Sequence, residues 1–160
     1  MAHSDAMSNV SIEPIYYNSL YRHGVDEKRR VQIPAKWRPV EPEFQFTIIL
    51  WQPRGPGQES CLLVLGPEAW RALVDKVKAM SYSDPEVQTL RRNLGKNSDR
   101  VTLDKAGRIC IPEGMAKAAG IEKETVLVGL LDRFELWSLK QYEAVKELDD
   151  RSLPDAMKLI

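Results

Sequence analysis

One motif occurs twice in this chain. Asp26-Glu27-Lys28-Arg29-Arg30-Val31-Gln32-Ile33-Pro34 returns 78 positions later as Asp104-Lys105-Ala106-Gly107-Arg108-Ile109-Cys110-Ile111-Pro112. Aspartate, an arginine four residues on, a β-branched residue and Ile-Pro stay in register. A second echo follows each copy: Leu62 to Leu65 and Phe134 to Trp137 are short apolar strands that lead into helix-like runs, 72 positions apart. The first copy therefore holds six extra residues between its two landmarks. Long-range self-similarity marks a duplicated unit. An arginine-bearing turn in each unit points to repetitive binding rather than to one active site.

The chain has 160 residues. Halves of under 80 residues would bury thin cores, so each is expected to borrow surface from the other or from another subunit. Strands of about three residues flank each motif, and a ribbon that short does not stand alone. Interleaved hairpins would answer both problems and leave two arginine turns on adjoining surfaces. The expected organisation is an N-terminal tail over 1–15, a first repeat over 16–83, a helical connector over 84–98, a second repeat over 99–150 and a C-terminal tail over 151–160. No apolar run approaches 18 residues, so no membrane span is expected. Residues 1–13 lack the basic and apolar regions of a secretion signal.

Net charge is zero, with 23 basic and 23 acidic residues, but the charges are unevenly spread. Residues 22–38 carry six basic and two acidic residues, a net of +4, and so do residues 91–108. The remainder is net −8. For a phosphate backbone the local field matters, not the total.

Within each copy the pattern is strand, turn, strand, short helix, strand, loop, strand, helix. Tyr16 to Asp26 reads as extended, with His23-Gly24 turn-prone. Val31 and Ile33 alternate with Gln32, and Pro34 stops the ladder for want of an N–H. Pro39 and Pro42 close the short helix Ala35 to Arg38. Thr47 to Trp51 and Cys61 to Leu65 form a hairpin around a Pro/Gly-rich loop. Gly66-Pro67-Glu68 opens one helix. Asp84-Pro85 opens another that stops at Gly95. In the second copy Pro112 to Ala119 is a helix closed by Gly120. Thr125 to Leu130 and Phe134 to Leu136 make the next hairpin. Ser138 and Gln141 have capping-box spacing before a helix lined by Tyr142, Val145 and Leu148. Leu153 to Ile160 is a short amphipathic tail, a last helix or a docking strip. The fold class is mostly β with short helices (α+β).

Arg30 and Arg108 are the main binding candidates. A guanidinium is a planar fork of donors that fits phosphate or the O6/N7 edge of guanine. Lys28, Arg29 and Lys105 are candidate phosphate contacts. Arg22, Lys36, Arg38, Arg91, Arg92 and Arg100 would extend the track. Asp26 and Asp104 repel phosphate and are assigned to the turn, accepting backbone N–H groups or bracing the arginine fork. Trp37, Trp51, Trp70 and Trp137 occupy apolar periodic positions and are read as core. Cys61 and Cys110 are read as buried free thiols of a cytoplasmic protein. Two histidines and two separated cysteines make no zinc site. No cofactor and no catalytic constellation are expected; His23 has no nucleophile or paired acid at an interpretable spacing.

Asp-x-x-x-Arg followed by hydrophobic-x-Ile-Pro, present twice, with the strand Phe134 to Ser138, resembles the MraZ family of bacterial transcriptional regulators. Tyr21-x-His23-x-Val25-Asp26, Val128-Gly129 and Glu135-x-Trp137 also fit, and the likeness runs from about Tyr16 to about Leu148. A single motif is shared with AbrB-like regulators and some antitoxins; two copies at this spacing are specific. The resemblance implies two tandem AbrB-type swapped-hairpin β-barrel repeats forming one pseudo-twofold unit. It also implies a ring-shaped, octamer-like homo-oligomer and a nucleoid-associated repressor of the division and cell-wall gene cluster. Such a repressor binds double-stranded DNA at direct repeats upstream of its own operon. The chain departs from the family pattern at Arg29, where glycine is usual, as at Gly107. Either the first turn has a different shape or Arg29 is tolerated as an exposed extra cation. The competing readings are an AbrB-fold antitoxin or protein-interaction module and a small enzyme on a related barrel.

Overall fold

The computed structural model describes residues 14–41 and 43–160. All but the last two residues of the expected N-terminal tail, and Pro42, lie outside the described residues. The chain is mostly antiparallel sheet with four α-helices among the described residues, an α+β fold. The strands are β1 (Leu20–Gly24), β2 (Arg30–Gln32), β3 (Gln45–Trp51), β4 (Cys61–Leu65), β5 (Ser98–Thr102), β6 (Arg108–Cys110), β7 (Glu124–Gly129) and β8 (Phe134–Trp137). The helices are α1 (Pro67–Lys78), α2 (Pro85–Lys96), α3 (Glu113–Ala118) and α4 (Leu139–Ala156), with 3-10 turns at Ala35–Trp37 and Met157–Leu159.

Six strands form one sheet in the order β1-β7-β8-β4-β3-β5, and β2 pairs with β6 in a separate ribbon. The strands beside each turn find partners in the other half of the chain. β1 lies against β7, Leu20 opposite Val128, and β5 lies against β3, Ser98 opposite Ile49. In the ribbon, Arg30 faces Cys110, Val31 faces Ile109 and Gln32 faces Arg108. Adding 78 to one strand and subtracting it from the other returns the same pairs. Between β4 and β8 the same holds with 72: Leu62 faces Leu136, Leu63 faces Glu135 and Val64 faces Phe134. The two offsets in the sequence are therefore the two places where like segments pair with each other.

Three layers result. On one face of the sheet lies the ribbon, with Val31, Ile33, Ile109 and Ile111 fully buried against Phe46, Leu62, Leu127, Phe134 and Leu136. Burial of each such side chain contributes roughly 1.5–3 kcal/mol, which offsets the cost of ordering strands only three residues long. Trp37 caps this core, edge-on to Tyr17 and Tyr21, its indole N–H donating to the Asn18 carbonyl at 3.0 Å. On the other face, Ile49, Leu63 and Leu65 meet Trp70, Leu73 and Val77 of α1 and Leu94 of α2. Cys61, Val126 and Trp137 meet Tyr142 and Val145 of α4. Cover on both faces explains why Cys-Leu-Leu-Val-Leu of β4 is buried throughout instead of alternating.

Several expectations need correction. His23 and Gly24 belong to β1, not to a turn, because β7 of the other half supplies their ladder partners. Gly95 does not stop α2, which continues to Lys96 behind the Asp84 cap, whose carboxylate accepts from the Glu86 N–H at 2.9 Å. The capping box is one-sided. Ser138 Oγ accepts from the Gln141 N–H at 3.1 Å, but the Gln141 amide accepts from the Ser60 N–H at 2.7 Å and donates to the Ala119 carbonyl at 3.0 Å. Helix α4 runs from Leu139 through Pro154 to Ala156. Cysteine 61 is buried but Cys110 is exposed, and both are free thiols. The reason is the period of two: in β6 only the central Ile109 points inward, so Arg108 and Cys110 point out.

Candidate nucleic-acid interface

The two motif turns have the same construction. In the first, Arg29 N–H donates to the Asp26 carbonyl at 2.9 Å and Asp26 N–H to the Arg30 carbonyl at 3.1 Å. In the second, Gly107 N–H donates to the Asp104 carbonyl at 3.0 Å and Asp104 N–H to the Arg108 carbonyl at 2.8 Å. This is a three-residue hairpin loop that ends on a residue in the left-handed region. Gly107 meets that demand at φ 80° and Arg29 at φ 60°. Of the two alternatives for Arg29, a different turn shape is thus excluded. A non-glycine residue there costs about 1–2 kcal/mol, so the surroundings must hold it in place.

Each aspartate locks its loop from within. Asp26 Oδ1 accepts from the N–H groups of Lys28 at 2.9 Å and Arg30 at 2.8 Å. Asp104 Oδ1 does the same for Ala106 and Arg108, both at 2.9 Å. The second oxygen braces the guanidinium: Arg30 Nε donates to Asp26 Oδ2 at 2.7 Å, and Arg108 Nε to Asp104 Oδ2 at 2.9 Å. These backbone donors, followed by the arginine, hold both carboxyls below the usual carboxylate range. With one edge of each guanidinium so held, its rotation is restricted.

Each loop is also tied to the other half of the chain. Gln32 Nε2 donates to the Ala106 carbonyl at 2.8 Å, and in the mirrored position Cys110 Sγ donates to the Lys28 carbonyl at 3.2 Å. Sequence reasoning missed both ties. The only local signal was their place two residues after Arg30 and Arg108, where strand alternation turns a side chain outward.

Val31 and Ile109 point into the core, so Arg30, Gln32, Arg108 and Cys110 share the outer face of the ribbon. The two arginines sit at diagonal corners. Arg108 Nη1 lies 3.9 Å from Asp26 Oδ2, the atom that already holds Arg30. Arg30 and Arg108 keep 35% and 32% of their side chains exposed. Lys28 and Lys105 are exposed on the loop tips, as is Glu27. Arg29 is half-buried, and its Nε donates to the Ile111 carbonyl at 3.0 Å.

The wider cationic track divides. Arg22 is paired across strands with Glu124 at 2.7 Å, and Arg38 Nε donates to the Ile33 carbonyl at 2.8 Å. Arg91 lies 4.9 Å from the centre of the Tyr82 ring. With Arg92 it sits on α2, on the far side of the sheet from the ribbon. Lys36 and Arg100 are exposed. Sequence charge density around residue 91 therefore does not mark one continuous surface. Among the described residues, no group of three or more histidine, cysteine, aspartate or glutamate side chains gathers for a metal. No described helix is long and apolar enough to cross a membrane.

Residues 96–157 match the family model described as "MraZ protein, putative antitoxin-like". Over 123 residues the chain is 33% identical to the transcriptional regulator MraZ of Clostridium tetani, covering 77% of this chain and 82% of that protein. Over 124 residues it is 36% identical to that of Treponema denticola, with 77% and 82% covered. Over 128 residues it is 32% identical to that of Thermomicrobium roseum, with 80% and 85% covered. Similarity at this level, over more than three quarters of the chain, means that the chain belongs to the MraZ family of transcriptional regulators.

Proposed function

We propose that the protein is a sequence-specific DNA-binding repressor that grips one duplex with both motif turns at once. The observation that carries this reading is the convergence of Arg30 and Arg108 on Asp26, at 2.7 and 3.9 Å, with a third of each side chain open to solvent. A two-stranded ribbon fits the major groove, and arginine forks read guanine edges there. In this reading Arg30 and Arg108 contact base edges. Lys28 and Lys105, on the loop tips, contact flanking phosphates. Asp26, Asp104 and Gly107 keep the loops in shape. The unit is a tandem AbrB-type swapped-hairpin pair, acting in the cytoplasm on the nucleoid, without a cofactor.

One subunit offers few phosphate contacts, and such contacts weaken steeply with salt. A ring-shaped homo-oligomer over direct repeats upstream of its own operon would restore tight binding through effective concentration. The test is a titration of the protein against duplex DNA from upstream of its gene and against a shuffled duplex, across salt concentrations. The second arm lengthens the spacer between operator repeats by half a helical turn. Preference for the native duplex and a sharp loss on respacing are expected. Equal binding to both duplexes refutes sequence-specific recognition, and indifference to spacing refutes the ring mechanism. An antitoxin-like reading rests on the exposed Leu153 of α4 and the exposed Met157 and Leu159 of the 3-10 turn that follows it; it leaves the paired arginine turns without a use.

A further inference from the structure

Pro34 and Pro112 end the ribbon strands, and the residue before each, Ile33 or Ile111, accepts one arginine Nε on its carbonyl. The acceptors are equivalent, 78 positions apart, but the donors are not. Ile33 is served by Arg38, from beyond the 3-10 turn, at 2.8 Å. Ile111 is served by Arg29, from the motif loop, at 3.0 Å. The loop residue equivalent to Arg29 is Gly107. A Cβ placed on Gly107 would stand 2.6 Å from both Cζ and Nε of Arg38. An arginine rooted at position 107 would thus begin where the Arg38 guanidinium now lies. The residue 78 positions after Arg38 is Ala116, which offers no side-chain donor.

We infer that Arg29 and Arg38 are one device entered from opposite ends: each lays a guanidinium on an Ile-Pro carbonyl beside a motif loop and so sets the position of that loop. A side chain at 107 would have to displace the Arg38 guanidinium, in addition to adopting the left-handed backbone at φ 80°. Arginine at 29 takes the role for itself, and this docking is what holds its left-handed backbone. Arg29 is then a positioning residue, not a phosphate contact, although it stands in the most basic run of the chain. The bracing rests on geometry alone; only its effect on DNA rests on the proposed function.

The test is a thermal-denaturation cycle on the full chain with R38A, G107R and R38A/G107R. Each single variant is expected to lower the melting temperature by roughly 3–8 °C. The double variant, which rebuilds around Ile33 the arrangement now found around Ile111, is expected to melt above G107R. If G107R does not fold, recovery of a cooperative transition in the double variant supports the device. A double variant no better than the sum of its parts, or still unfolded, overturns it. The second readout is the salt dependence of DNA binding. R29G should leave the slope per site unchanged, whereas Lys28→Ala lowers it by about 1. An equal fall for R29G makes Arg29 a phosphate contact and overturns its assignment. If wild-type protein binds no DNA, the repressor reading fails while the thermal cycle still decides the bracing.

Discussion

Replacing Arg108 with alanine separates binding from folding. Its side chain makes one hydrogen bond to Asp104 at 2.9 Å and approaches Asp26 at 3.9 Å, and 32% of it stays exposed. A pair that open contributes about 0–1 kcal/mol, worth no more than about 4 °C in melting temperature for a chain of this size. The loop keeps its lock, because Asp104 still accepts from the N–H groups of Ala106 and residue 108. The cost to recognition is larger. A bidentate base contact discriminates by about 1–3 kcal/mol, or roughly 5- to 150-fold in affinity per site. Fluorescence anisotropy with the upstream duplex and a shuffled duplex, over a salt series, reads both terms. The expected result is a near-native melting curve and a loss concentrated on the specific duplex. An equal loss on both duplexes with a slope reduced by about 1 makes Arg108 a phosphate contact instead. Unchanged binding, or a melting temperature lower by more than about 10 °C, refutes the reasoning.

The pH profile has two opposite contributions. Asp26 and Asp104 have lowered folded-state pKa values, so their stabilisation is present above the unfolded value near 3.9 and is lost as pH falls through the folded value. Melting curves from pH 6 down to 2 should show this loss, and D26N/D104N should flatten it; an unaltered profile contradicts the loop lock. Burial pushes the Glu135 carboxyl up, although it accepts from Trp137 Nε1 at 2.8 Å, so its charged form is penalised at neutral pH. Glu135→Gln keeps an acceptor for Trp137 and should melt higher than wild type at pH 7; a lower melting temperature there counts against the assignment. Gly129→Ala places a methyl group on the Tyr17 carbonyl oxygen, which the Tyr17–Leu131 bridge brings over Gly129. A loss of about 1–3 kcal/mol is expected, and an unperturbed melting curve would show that the bridge gives way freely.

What could be read in the sequence was what is local. The Asp-x-x-x-Arg loops, the Ile-Pro stops, the Asp84 cap and the apolar face of α1 follow from short spacings. Interleaving of the halves follows from the short strands, but which residues of the other half pair with which is not legible. His23-Gly24 looked like a turn because nothing nearby shows that β7 will pair with it. Gln141 looked like half of a capping box because Ser60 and Ala119 are remote in sequence. Cys110 was read as buried from its apolar neighbours, when the alternation that buries Ile109 turns it outward. Local charge counts joined Arg91 and Arg92 to the second motif, but α2 carries them to the far side of the sheet. Arg38 reads as one more surface cation, since a carbonyl acceptor leaves no mark on the sequence.

The most direct test of the central idea is amide hydrogen exchange with and without the upstream duplex. The account predicts that residues 26–30 and 104–108 are both slowed by DNA, to a similar degree, while α4 from Leu139 to Ala156 exchanges as before. Protection of one loop alone, or protection confined to α4, would contradict a two-turn grip.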